Sequence, residues 1–319
     1  MGKKVRTRSI ASVVEEIRIA VERGTKFIDF EDDNLTFNRD RAGKLFQALI
    51  DNFSNKGIAF SAMNGLDAET LDDELIYLMK AAGFEWLNIP LVSGNQKVQN
   101  RIRRHQSKSK FLEVVQLAKH YELKVVAYLI LGLPEDRPEQ MLQDIIFLAA
   151  QKVLLGPSIF YPPPGTPTYE NCLSKGYIKK GNYLELRSSA IPVETKHFQR
   201  VDLVTLFRLV RVINYLKQLV DQTLNKDENF YLYLERQVSN ANELTYNFKL
   251  SFLEIGHKLL YQLFIKGELK GLALKTKANG RFVYQWLNYS HSPILVHNFL
   301  QSLKGQRIPG IQQECGFLF

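Results

Sequence analysis

The stretch IASVVEEIRIAVERGTKFIDFE, residues 10–31, decides how this chain is read. Its first part predicts a helix over 10–23, because Val13, Val14, Ile17, Ala20 and Val21 recur at the 3.6-residue period and share one face. Ser9 can cap that helix, or Ser12 with Glu15 three residues on can form a capping box, and Gly24 ends it. Its second part, Lys26 to Glu31, reads as a strand. In right-handed βα units a helix packs between the strand before it and the strand after it. Here no strand is legible before the helix. The reading therefore predicts a sheet edge left open beside Lys26 to Glu31, or a chain that is a piece of something longer.

The same alternation continues outward. Ala42, Leu45, Phe46, Leu49, Ile50 and Phe53 line one helix face, with Asn38 as its cap, and Gly57 to Ser61 follows as a strand. Asp67 or Thr70 should cap the next helix, which turns Leu71, Leu75, Leu78, Met79 and Ala82 inward and ends at Gly83. Trp86 to Leu91 is the third strand. Helical segments near 95–104 and 110–121 lead to the fourth, Lys124 to Leu131. Pro138 suits the first turn of a helix carrying Leu142, Ile145, Ile146 and Ala149, and a fifth strand is expected near Pro157 to Tyr161. Strand starts recur about every 30 residues, the size of one βαβ unit. Five such units in a row imply a parallel sheet covered by helices, either a barrel or a doubly wound sheet.

Residues 162–200 are rich in Pro and Gly and read as a boundary. Beyond them the texture changes to helices over 200–221, about 244–266 and near 293–303. Asn279-Gly280 between two apolar runs predicts a hairpin near 272–287. The division expected is 1–185 and 186–319. The chain's 319 residues are 45% hydrophobic and 24% charged, which excludes disordered, collagen-like and coiled-coil classes. The longest apolar stretch, Val125 to Leu133, is too short to span a bilayer. Two cysteines, Cys172 and Cys315, exclude a disulfide framework, favour a cytoplasmic address and cannot by themselves supply a Cys-rich metal site. The net charge of +9 raises the odds of an anionic partner.

In parallel barrels chemistry sits at the C-terminal ends of the strands. Those ends carry Glu31-Asp32-Asp33-Asn34, Met63-Asn64-Gly65, Ser93-Gly94-Asn95, Gly132-Leu133-Pro134-Glu135-Asp136 and Tyr161-Pro162-Pro163-Pro164-Gly165. Asp32 and Asp33 can bind an ammonium or a metal, or cap the next helix. Ser93 with Gly94 can bind a hydroxyl or a carboxylate, or serve as an N-cap. Gly132-Leu133-Pro134 alone is an ordinary strand-to-helix turn. His105 and His120 lack ligand partners at helical spacing and read as surface residues.

Taken in order, Lys3 to Ser9, Phe30-Glu31-Asp32-Asp33-Asn34, Met63-Asn64-Gly65-Leu66, Ser93-Gly94, Leu129 to Pro134 and Pro164-Gly165-Thr166-Pro167-Thr168-Tyr169 resemble the core of radical S-adenosylmethionine (radical SAM) enzymes, over about residues 1–185. The flavour is that of the group with an upstream cobalamin-binding domain. The resemblance implies a partial (β/α)6 TIM-like barrel lacking its first strand, followed by the mainly helical C-terminal region. It also implies S-adenosylmethionine and a 4Fe-4S cluster as cofactors, with cobalamin as a third. In the family, a C-x-x-x-C-x-x-C loop holds the cluster, whose open iron chelates S-adenosylmethionine before a 5′-deoxyadenosyl radical forms. Carried over, Asp32 and Asp33 match the motif that contacts the methionine amino group. Ser93 matches the segment meeting the ribose or carboxylate, Arg104 a base that pairs the carboxylate, and Tyr128 and Gly132 the strand approaching ribose and adenine. The three-cysteine loop and its strand are missing, so no metal ligand is expected in this chain. Val92 and Asp67 replace residues that are polar and basic, respectively, in many relatives.

Three readings follow from this. The chain is the C-terminal portion of a radical SAM enzyme, with methyl transfer among the reactions open to it, its cluster ligands elsewhere and no activity alone. Or it is a non-catalytic binding or scaffold protein with the cluster lost. Or it handles RNA, through the basic run Arg101, Arg103, Arg104, His105, Lys108 and Lys110, for which a solvated helix face is the plain alternative. The C-terminal aromatic helices are expected to cover the open side of the barrel rather than to lie on lipid.

Overall fold

The computed structural model describes residues 6–94, 98–100, 107–223, 232–233, 235–237, 252–278, 281–288, 290–304, 306–311 and 316–318. The chain separates into two compact units, one of residues 1–129 and 152–154, the other of 130–151 and 155–319.

In the first unit, helix α1 (Ile10–Glu22) is followed by β1 (Phe27–Asp29), α2 (Arg39–Phe53), β2 (Ala59–Ser61), α3 (Asp73–Ala82), β3 (Trp86–Val92), α4 (Lys108–His120) and β4 (Lys124–Leu131), whose last two residues belong to the second unit. The strands run parallel. Phe27 pairs with Ala59 and Asp29 with Ser61, a bridge joins Phe60 to Phe84, and Trp86 pairs with Lys124. The spatial order β1-β2-β3-β4 is thus the chain order. This is the alternating α/β architecture with parallel strands that the periodicity implies.

One face of this sheet is sealed by aromatic packing. Phe30, Phe46, Phe53, Phe60 and Phe84 are all buried, and Phe46 and Phe53 bring α2 onto the strands. Their ring centroids lie 5.5 Å (Phe46–Phe84) to 6.3 Å (Phe53–Phe60) apart. Each such contact contributes about 0.5–1.5 kcal/mol beyond simple burial. Gly83 closes α3 at φ 106°, and a Cβ there would meet the Ile58 carbonyl oxygen at 2.7 Å. Only glycine lets the helix end come this close to the strand backbone.

The caps are partly as read. Ser9 accepts from the Ser12 N–H and Asn38 from the Arg41 N–H, so the capping box of Ser12 with Glu15 is not used. Asp67 and Thr70 do not cap α3. Asp67 caps a single 3-10 turn (Ala68–Thr70), and Asp72 accepts from the Leu75 N–H at the helix start. A short turn ahead of a helix carries its own cap, which separates the two signals.

Among the described residues β1 pairs with β2 alone, and its other edge has no strand beside it. A cavity of about 550 Å³ opens between α1, β1 and α2, lined by Val13, Ile17, Ile28, Leu45, Asp32, Arg8 and Arg41 among others.

In the second unit, α5 (Pro138–Ala149) precedes β5 (Leu154–Ile159, whose first residue belongs to the first unit), α6 (Pro167–Ser174) and the long α7 (Arg200–Thr223). Then come α8 (Phe252–Phe264), β6 (Lys270–Ala278), β7 (Arg281–Asn288), α9 (Pro293–Leu303), β8 (Arg307–Pro309) and β9 (Gly316–Leu318). Strand β5 starts three residues earlier than read, because the strand accommodates Pro157 rather than beginning there. Beside it, Asn214 of α7 bonds both ways with the Leu155 backbone, at 2.9 Å as acceptor and 2.7 Å as donor. Within the loop-rich 162–200, α6 was not foreseen. Pro167 sits in its first turn and Thr166 accepts from the Tyr169 N–H. The hairpin stands as antiparallel β6 and β7, with 279–280 outside the described residues, as is 244–251 of the expected helix. Helix α9 packs on α5 and α7.

Candidate functional site

Strand alternation sorts the first unit's side chains. Leu87, Ile89, Leu91, Val125, Ala127 and Leu129 are buried on the face that carries the helices. The opposite face takes Asp29, Ser61, Asn88, Pro90, Val126 and Tyr128, and there polar groups gather. Asn88 is 4% exposed and donates its amide to the Ala62 carbonyl at 3.3 Å. That bond leaves its oxygen to accept from the Tyr128 hydroxyl at 3.2 Å. Asp29 accepts from the Met63 N–H at 3.1 Å. Burial pushes the Tyr128 phenol above its ordinary value and the Asp29 charge adds to the shift, so the hydroxyl stays protonated.

The strand ends above this face are pinned by short polar side chains. Asn64 donates to the Glu31 carbonyl and carboxylate, both at 3.0 Å. Asn34 accepts from the backbone and hydroxyl of Thr36, which is fully buried and bonded to Thr70 at 2.6 Å. At the end of β3, Val92 takes φ 57°, rare for a β-branched residue, and the Ser93 N–H bonds back to the Leu91 carbonyl at 2.7 Å. Gln99, 3% exposed, donates to the Ser93 carbonyl at 2.7 Å and holds that tight turn.

The residues singled out in the sequence are distributed as follows. Asp32 and Asp33 are exposed after β1, and the cap of α2 is Asn38, so they are not helix caps. Ser93 is buried at the end of β3 and begins no described helix, while Tyr128 lies on β4 in the polar face. Arg104 lies outside the described residues, as do Arg101, Arg103 and His105 of the basic run. His120 is exposed. Gly132 belongs to the second unit, at φ 86°, where a Cβ would meet Leu203 Cδ1 of α7 at 2.7 Å. There Gly132 admits a packed leucine. Nearby, Asp136 is 2% exposed and accepts from the Leu133 N–H at 3.0 Å. Burial pushes its carboxyl up to about 7, with the Asp144 charge adding to the rise against the Leu133 bond.

Asp29 and Asn88 were missed. Their signal was available in the period-2 pattern: each is the polar residue at an every-second position of an otherwise apolar strand, as Tyr128 is.

The residues present do not fit an iron–sulfur cluster. Cys172 is buried in α6, Cys315 lies outside the described residues, and no group of three or more His, Cys, Asp or Glu poised for a metal exists among the described residues.

Residues 1–148 match the model of the radical SAM superfamily. Among curated relatives, an uncharacterized methyltransferase of Pyrococcus horikoshii is 24% identical over 220 residues, 68% of this chain and 47% of that protein. The cytidylyl-2-hydroxyethylphosphonate methyltransferase of Streptomyces wedmorensis is 26% identical over 187 residues, 56% of this chain and 34% of that protein. The matches thus span less than half the length of these relatives. Among solved structures, a radical S-adenosylmethionine methyltransferase from Kitasatospora setae, with cobalamin and a [4Fe-4S] cluster bound, aligns at TM-score 0.47 and 18% identity, covering 52% of this chain and 34% of that one. No helix among the described residues is long and apolar enough to cross a membrane.

Proposed function

We propose that this chain is the S-adenosylmethionine-binding portion of a radical SAM enzyme of the methyl-transferring kind, a partial barrel whose cluster-ligating cysteines lie outside these 319 residues. The observation that carries the reading is the superfamily match over residues 1–148 in a chain with no three-cysteine loop. The open edge of β1 and the cavity beside it support it, since a further parallel strand there would complete the sheet next to α1. Methyl transfer is favoured by the curated relatives, of which two are named as methyltransferases. Cobalamin rests on the likeness of the first 185 residues to the cobalamin-associated group, and no residue of this chain is assigned to it. The functional boundary is placed near residue 185, with the substrate set by the segment beyond it.

This chain's residues do not fit the cluster. What they do is bind and orient. Asp32 and Asp33 meet the methionine ammonium as exposed carboxylates. Arg104 pairs its carboxylate. Ser93, in the tight turn held by Gln99, offers polar contacts to the ribose, and Tyr128 lines the approach to the nucleoside.

Calorimetry of the 319-residue chain with S-adenosylmethionine tests this. Binding is expected, weakened about tenfold or more by D33N through loss of a charge-assisted bond. The isolated chain is expected to cleave no S-adenosylmethionine. An absence of any C-x-x-x-C-x-x-C in frame upstream in the coding DNA would count against the reading. It would favour the second one, a cluster-less binding protein on the same fold, which the missing cysteine triplet also suits.

A further inference from the structure

Asn88 joins the turn after β2 to the hydroxyl of Tyr128 on β4. Its backbone carbonyl accepts from the Leu66 N–H at 2.7 Å, and its side-chain amide donates to the Ala62 carbonyl at 3.3 Å, so it grips both ends of the turn 62–66. The Ala62 carbonyl also accepts from the Gly65 N–H at 3.3 Å, so the turn closes without the Asn88 side chain. A carbonyl can only accept, which obliges the Asn88 amide nitrogen to face Ala62 and its oxygen to face Tyr128. Among the described residues the Tyr128 hydroxyl has no other hydrogen bond, and its proton goes to that oxygen at 3.2 Å. The phenol oxygen keeps its lone pairs for what approaches the half-buried ring.

We propose that Asn88 is a positioning residue for Tyr128: it takes the phenol proton, so that Tyr128 meets the cofactor's nucleoside as a hydrogen-bond acceptor. The assignment rests on the functional reading above, which sets Tyr128 at the approach to the nucleoside. A phenol whose proton is uncommitted turns freely and gives up that freedom on binding. One whose proton is already held is ordered before the ligand arrives, and less of its bond is lost to ordering. The donors that a nucleoside carries are the ribose hydroxyls and the exocyclic amine of adenine, and an accepting phenol suits either. Asn88 itself touches no ligand in this scheme and acts only through Tyr128.

The test is a double-mutant cycle on S-adenosylhomocysteine affinity, measured by calorimetry on the 319-residue chain, with urea unfolding of each variant as the check on its fold. Y128F should weaken binding about fivefold, the loss of one hydrogen bond. N88L, close to Asn in shape but unable to donate or accept, should weaken it by about the same factor. In the Y128F background N88L should weaken binding further by less than about twofold, because the group it acts through is gone. N88A takes the place of N88L if the leucine variant does not fold. The inference is overturned if Y128F or the Asn88 variant leaves wild-type affinity unchanged. It is also overturned if the Asn88 variant costs as much in Y128F as in wild type, since Asn88 would then act through the fold and not through the phenol. A wild-type chain that binds no S-adenosylhomocysteine overturns the functional reading, and the inference falls with it.

Discussion

Lys217 is fully buried in α7, an environment that removes water from its ammonium, and no carboxylate among the described residues lies at bonding distance from it. Its Nζ donates to the Gln151 carbonyl at 2.5 Å, just past the end of α5, and to the Pro309 carbonyl of β8 at 3.1 Å. Burial pulls its pKa from the ordinary 10.5 down to about 7, against the opposing pull of the Asp221 charge. Between those values the unfolded chain holds a proton that the folded chain lacks. Stability must therefore rise with pH across that window and be flat below it. Over the full window the difference is on the order of 5 kcal/mol, or at most about 1.4 kcal/mol per pH step. The perturbation is Lys217→Met, which keeps the volume and removes the titration. Urea unfolding of both proteins between pH 6 and pH 11, on the order of the two pKa limits, gives the test. The stability of wild type minus that of K217M should climb steadily with pH. Two parallel curves would show that Lys217 keeps its charge when buried, and would refute the reasoning.

Asp136 works in the opposite sense: its folded pKa near 7 exceeds the ordinary 3.8, so the folded state holds the extra proton and stability falls as pH rises between them. D136N should abolish that slope in the same titration. G83A should cost about 2–4 kcal/mol, because the positive φ and the backbone oxygen at 2.7 Å cannot both be relieved. Thermal or urea unfolding reads it. G132A should destabilise by about 2 kcal/mol through overlap with Leu203, and a double-mutant cycle with L203A should recover on the order of 1 kcal/mol. Strict additivity would mean that the close approach to Leu203 carries no energy.

Much of the first unit was legible because its signals are local. Apolar residues at 3.6 and at 2.0 spacing mark which stretches coil and which extend, and Ser9 and Asn38 cap within three residues of their own position. Where two capping signals fell close together, at Asp67, Thr70 and Asp72, the pattern could not rank them. Lys217 shows the same limit. It falls four residues after Ile213, on the apolar stripe of α7, yet sequence spacing alone does not say whether two carbonyls will be waiting for its ammonium.

The sequence by itself determined the alternating α/β class, the succession of helices and strands along the chain, the superfamily resemblance of the first half and the lack of a cysteine triplet. These depend on residue type and spacing along one chain. Only the tertiary structure decided that Asp29, Asn88 and Tyr128, on three different strands, share one face, and which of them donates. It also decided that Gly132 answers to Leu203 and that the edge of β1 stands open among the described residues. These are relations between residues 40 to 99 positions apart, from Asn88 to Tyr128 and from Asp29 to Tyr128. Strand pairing and helix packing, not local propensity, bring such residues together.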